Sequence, residues 1–229
     1  FTMNSPGQQI ARLNSGGNWT IGNNLVMGSG IIYFGSGGAG YGTTTVAGSI
    51  SLLGGTLNMD QTNKSLDVAG NLEMATGASL ALSGTLGGDI RIAGNWTRAA
   101  SSVFDPNGRA VFFNGTTVQH LSITGGGTET FNYLHIGGSG TLKLATTTNA
   151  AINSVNGLTL DSTNPTTTLD LNGQSLTITG GGNLSLASGN RKGTSSLPGG
   201  IFKVAAGNMG IANPGTLEYG AATPLSRNR

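Results

Sequence analysis

Nine carboxylates and two histidines are the groups in this chain that could carry acid–base or metal chemistry. The acids are Asp60, Asp67, Asp89, Asp105, Asp161, Asp170, Glu73, Glu129 and Glu218. Glycoside cleavage needs two carboxyl groups held a few ångströms apart. Calcium needs several oxygens around one point. Here no two acids are adjacent, and Asp67 and Asp170 each stand between apolar neighbours, so both are expected to face solvent. Asp89 and Arg91 fall on one strand face and are expected to pair as a surface ion pair. His120 and His135 each adjoin an inward residue and are expected outside. No HxH or HExxH spacing exists and cysteine is absent, so no metal site is expected. In a chain with 41 glycines, partial matches to nucleotide fingerprints carry no weight. The acids therefore predict no enzyme, no cofactor and no metal. Carboxylates brought together by stacking of distant segments are invisible at this level.

The aromatic residues offer recognition instead of catalysis. Phe112 lies between Val111 and Phe113, and Tyr133 precedes Leu134, so both are expected to face outward. They are 21 residues apart, and stacked exposed rings form a sugar-binding strip. The competing reading is ring stacking that only stabilises neighbouring segments. Trp19 and Trp96 sit in matching Gly-Asn-Trp-Thr turns and are expected to pack inward. The run Ile31, Ile32, Tyr33, Phe34 is the candidate for self-association. Thr146/Thr148 and Thr166/Thr168 repeat a Thr-x-Thr pattern, but two copies are too few for an ice-binding array.

What positions these residues is a run of very short strands. Apolar–x–apolar triplets recur along the chain: Leu66/Val68, Leu80/Leu82, Ile90/Ile92, Leu121/Ile123, Leu134/Ile136, Leu142/Leu144 and Leu176/Ile178 among them. Alternation means strands with one buried face. Gly-Asn, Asn-Gly, Gly-Gly and Ser-Gly pairs between them mark turns. No helical periodicity appears. The segments beginning at Leu66, Leu121 and Leu176 resemble one another at a constant interval of 55 residues. A fixed period marks a chain built by stacking one unit. Related triplets also recur some 20–24 residues apart, as Val68-Ala-Gly-Asn-Leu72 and Ile92-Ala-Gly-Asn-Trp96 do. That suits one coil of three strands. The expectation is an all-β chain, a parallel β-solenoid of roughly ten short-stranded coils, with a β-sandwich as the alternative. Leu66, Leu121 and Leu176 are expected in equivalent inward positions. Asn18, Asn71, Asn95 and Asn183 each follow glycine and are expected to form a ladder of side-chain amides from coil to coil. Residues 1–50 read as atypical N-terminal coils or a cap, 51–220 as the solenoid repeats and 221–229 as a frayed tail. The chain opens Phe1-Thr2-Met3, which reads as a processed or excised piece.

Composition sets the remaining bounds. Only 9% of residues are charged and the net charge is +2, so no basic face exists to track phosphates. No nucleic-acid partner is expected. No stretch of 18 apolar residues occurs, so no membrane span is expected. Absence of cysteine suits an exported protein that does without disulfides.

Residues 94–186 contain GNWT, FDPNGRAVFFNGTTVQHLSITGGGTETFNYLHIGGSGTLKL and TLDLNGQSLTITGGG. This stretch resembles the repeat regions of large extracellular β-solenoid proteins of bacteria, the Bacteroidetes-type adhesin-like proteins and autotransporter passengers. The resemblance implies an extracellular or cell-surface location and a role in adhesion or as a stalk. Its motifs are structural and imply no site. The resulting reading is a non-catalytic structural or adhesive β-solenoid. Its partners are then copies of itself joined end to end into a fibre, or neighbouring repeats of a longer stalk, and glycans. The alternative is a carbohydrate-binding or polysaccharide-degrading β-helix protein.

Overall fold

A computed structural model describes residues 1–4, 10–12, 17–34, 42–59, 63–152, 157–160 and 167–178, together with the strands at 184–185, 201–203, 209–211 and 217–218. The chain is a parallel β-solenoid, with 27 strands and no helix among the described residues. Every strand pairs in parallel with the third strand before or after it, which leaves no room for a sandwich. The strands fall into triplets. Coil one is Thr2–Met3, Ile10–Arg12, Trp19–Ile21; coil two Leu25–Met27, Ile31–Tyr33, Thr43–Val46; coil three Ile50–Leu52, Thr56–Asn58, Ser65–Val68. Coil four is Leu72–Met74, Ser79–Ala81, Ile90–Ile92; coil five Trp96–Ala99, Val103–Asp105, Ala110–Phe113; coil six Val118–Thr124, Gly127–Phe131, Tyr133–Ile136. Coil seven is Thr141–Leu144, Thr148–Ile152, Leu158–Leu160; coil eight Thr168–Asp170, Leu176–Ile178, Leu184–Ser185; coil nine Ile201–Lys203, Met209–Ile211, Leu217–Glu218. Nine coils replace the ten expected. The strands of residues 1–50 continue the same sheets as those that follow, whereas 221–229 lie outside the described residues.

The first and third faces are unbroken nine-stranded sheets. Eight steps at the strand spacing of about 4.8 Å make a rod of roughly 38 Å. Inward columns run along it. Leu25, Ile50, Leu72, Trp96, Leu121 and Leu144 share one register on the first face. Leu66, Ile90, Val111, Leu134 and Leu158 share one on the third. All but Leu134, itself only 2% exposed, are completely buried.

The 55-residue repeat does not mean what its regularity suggests. Leu66, Leu121 and Leu176 are all fully buried. They lie on three different faces, in the ninth, sixteenth and twenty-third strands. The interval is therefore seven strands, two coils and one face, so the repeat turns the corner each time. The repeating unit is one strand with its turn, and any of the three faces accepts it.

At one corner a side-chain ladder bonds coil to coil. The Ser49 N–H donates to Asn24 Oδ1 at 2.8 Å, Asn71 N–H to Ser49 Oγ at 2.9 Å, Asn95 N–H to Asn71 Oδ1 at 2.8 Å and His120 N–H to Asn95 Oδ1 at 2.8 Å. Asn71 and Asn95 belong to it as expected. Asn18 does not: it stands before the third face, accepting from the Thr43 N–H at 2.9 Å. Asn183 lies outside the described residues. The glycines that precede the ladder are required by it, because a Cβ on Gly70 would run into Ser49 Oγ and the Gly48 carbonyl, and one on Gly94 into Asn71 Oδ1. Asn71→Ala leaves the Asn95 N–H unpaired and is expected to cost about 1–3 kcal/mol. Urea denaturation of the variant checks this, and an unchanged midpoint would show that the ladder bonds are replaced by water.

The second face is divided. Its strands form a five-stranded sheet through coil five and a separate four-stranded sheet from coil six onward. Val118–Thr124 spans the change on the first face. Its last four residues pair with coil five and its first four with coil seven. The corner that follows is Gly125-Gly126-Gly127, with φ of 95°, 83° and 140°, a path that side chains with a Cβ rarely take.

Candidate functional site

Alternation on the third face sends one residue of each strand outward, and the parallel register stacks these residues in a line. Thr45, Asp67, Arg91, Phe112, His135 and Thr159 occupy one such column, from coil two to coil seven. The middle four touch in sequence. Arg91 Nη1 lies 3.4 Å from Asp67 Oδ1, with both side chains a little over one-third exposed. The Arg91 guanidinium lies 4.8 Å from the centre of the Phe112 ring. Phe112 packs against His135 with centroids 4.9 Å apart and ring planes tilted by 44°.

This corrects two expectations. Arg91 pairs with Asp67 one coil below, not with Asp89. Asp89 accepts the Ala110 N–H at 2.9 Å and continues the corner bonding of this face. Phe112 and Tyr133 are in adjacent coils as their spacing implied, but Tyr133 pairs with Ala110 and Phe112 with His135. The two rings are thus offset by two residues instead of stacked. Coil four and coil six cover Phe112 from either side with Arg91 and His135.

The remaining groups are dispersed. His120 is exposed, as expected. Asp170 is not: it is 6% exposed, lies 3.7 Å from Lys143 and accepts the Asn172 N–H at 3.0 Å. Trp96 is fully buried on the first face, whereas Trp19 is half-buried on the third, so the two Gly-Asn-Trp-Thr turns are not equivalent. Thr148 is buried on the second face and Thr168 lies on the first, so no flat threonine array forms. Ile31–Tyr33 is an interior strand, paired on one side with Ile10–Arg12 and on the other with Thr56–Asn58. It has no free edge for a second chain, and Ile32 and Phe34 are buried in the core. Among the described residues no three His, Asp or Glu side chains converge. Asp60 and Asp161 lie outside the described residues.

One charged constellation escaped the sequence reading. Glu129 is 1% exposed. Its Oε2 accepts from Arg98 Nε at 2.6 Å and from the Trp96 indole N–H at 2.9 Å. Arg98 also donates to the carbonyls of Ala99 and Ser102. Burial drives the Glu129 pKa above the usual carboxylate range, opposed by the hydrogen bond and charge of Arg98. The group lies where the second sheet is divided, so side chains bridge coils that no backbone ladder joins there. Trp96, Phe104, Phe113 and Phe131 pack around it with centroids 4.8–6.4 Å apart. A signal did exist: Trp96 and Arg98 are two residues apart on one strand, so an inward Trp96 forces Arg98 inward too, and a buried arginine demands a counter-charge. The constellation is largely buried, with the Arg98 and Glu129 side chains 11% and 2% exposed.

No protein-family model, curated protein or solved structure matches the chain. No helix among the described residues is long and apolar enough to cross a membrane.

Proposed function

We propose that this protein is a non-catalytic, extracellular structural or adhesive rod that joins end to end with copies of itself. The observation that supports this reading is the parallel register of the first and last coils. Thr2–Met3, Ile10–Arg12 and Trp19–Ile21 at one end, and Ile201–Lys203, Met209–Ile211 and Leu217–Glu218 at the other, each pair on one side only among the described residues. A parallel strand edge is a template for a further coil, whether of a second copy or of a longer chain.

The N-terminal end is also apolar and hollow. A cavity of about 330 Å³ opens there, lined by Phe1, Trp19, Ile21, Leu25, Ile32 and Phe34. Of the four residues first considered for self-association, Ile32 and Phe34 thus contribute as lining of the hollow, not as a pairing strand. A head-to-tail contact is heterologous and propagates into a filament unless its rotation closes a ring. Sparse charge, 9% of residues, offers little repulsion between copies.

Light scattering tests the reading. The isolated chain is expected to grow in mass with concentration, and Phe1→Lys with Ile21→Lys, which charge the apolar end, are expected to hold it at monomer mass. A wild-type chain that stays monomeric at high concentration contradicts self-assembly and favours ends covered by neighbouring repeats of a longer stalk.

A further inference from the structure

We infer that the third face carries a glycan-binding strip across coils three to six, centred on Tyr133 and recognising a neutral oligosaccharide. This deepens the adhesive reading above and rests on it. Aromatic residues make up 6% of the chain and charged residues 9%, yet Asp67, Arg91, Phe112, Tyr133 and His135 gather on one patch of this sheet. Around them the outward positions hold Thr45, Ala110 and Thr159, and the Asp89 carboxylate accepts the Ala110 N–H beside them.

The members differ in what they offer a sugar. Phe112 is sandwiched between Arg91 and His135, so its faces are taken and it serves to fix both neighbours. Tyr133 differs. Its register partner is Ala110, and the next coil presents Gly157 beside Leu158, the partner of Leu134. Neither of these described neighbours has a side chain large enough to cover a ring, and the half-buried Tyr133 is the ring we assign to the apolar face of a pyranose. Among the described residues the Tyr133 hydroxyl has no hydrogen-bond partner, and Asp67 is the one hydrogen-bond partner of the Arg91 guanidinium, through Nη1 alone. The other Arg91 nitrogens donate outward, and the half-exposed Asp67 carboxylate accepts beside them. Donor and acceptor side by side match vicinal hydroxyls. The pair is neutral as a whole, which favours an uncharged sugar over a uronate. From coil three to coil six is three strand spacings, about 14 Å, so the strip suits an oligosaccharide lying along the rod instead of one ring.

Calorimetric titration with cellohexaose, maltohexaose and mannohexaose, and with hexagalacturonate as the acidic comparison, tests the assignment. One of the neutral oligomers is expected to bind, with affinity unchanged by added salt. Tyr133→Ala and Arg91→Met are each expected to weaken it by about tenfold or more. Tyr133→Phe, which keeps the ring, is expected to lose less, and Thr97→Ala on the first face nothing. Absence of binding by every oligomer at millimolar concentration overturns the proposal. So does tighter, salt-sensitive binding of hexagalacturonate, or wild-type affinity in Tyr133→Ala. Light scattering on the same samples keeps the two readings apart, because the strip variants are expected to assemble like the wild type whether or not sugar binds.

Discussion

Leu121→Asp is expected to unfold the middle of the rod. Leu121 is fully buried in the column between Trp96 and Leu144, and it lies in the strand that joins the two halves of the first face. An aspartate there has no cation or donor set arranged to receive it. The loss is expected to exceed about 4 kcal/mol, a large part of the 5–15 kcal/mol that holds an ordinary domain together. Ser122→Asp, one residue on and half-exposed, is expected to change stability by no more than about 0.5 kcal/mol. Thermal melts followed by circular dichroism compare the two. Equal melting of both variants would place Leu121 and Ser122 on the wrong sides of the sheet.

Breaking the buried ion pair has the next largest expected effect. Arg98→Ala leaves Glu129 without its cation at the point where the second sheet is divided, and about 3–5 kcal/mol is expected to be lost at neutral pH. The pH dependence carries the sign of a raised carboxyl pKa. Because the folded value lies above the unfolded one, the stability linked to this proton is complete below the unfolded pKa and is lost as pH rises through the folded one. The slope is at most about 1.4 kcal/mol per pH unit for one proton. Glu129→Gln is expected to flatten that slope. Arg98→Ala is expected to extend it to higher pH, since removing the cation raises the Glu129 pKa further. Urea titrations over a pH series measure all three, and a wild-type slope retained in Glu129→Gln would assign the proton to another group.

The fold was legible because alternation and turn chemistry operate on single strands. Short apolar–x–apolar triplets bounded by glycine and asparagine favour stacked coils over the longer strands of a sandwich, and Leu66, Leu121 and Leu176 lie inside as expected. Their faces were not legible, because every face of a solenoid makes the same demand on a three-residue strand. The same limit misplaced Asn18: Gly-Asn-Trp-Thr occurs before the third face at 17–20 and before the first at 94–97, although Trp19, in register with Thr44 and Leu66, faces inward as expected. Pairings between coils were hidden for a different reason. Coil length on the first face varies from 22 residues between Ile50 and Leu72 to 33 between Leu169 and Phe202, so no constant offset predicts that Asp67 meets Arg91 or that Tyr133 meets Ala110. Arg98 and Glu129 were recoverable in principle from the parity of Trp96 alone.

Negative-stain electron microscopy of the isolated chain at rising concentration addresses the central claim most directly. Unbranched filaments one rod wide, lengthening with concentration and absent from the Phe1→Lys, Ile21→Lys variant, are the predicted result. Separate particles of about 40 Å at every concentration would contradict it.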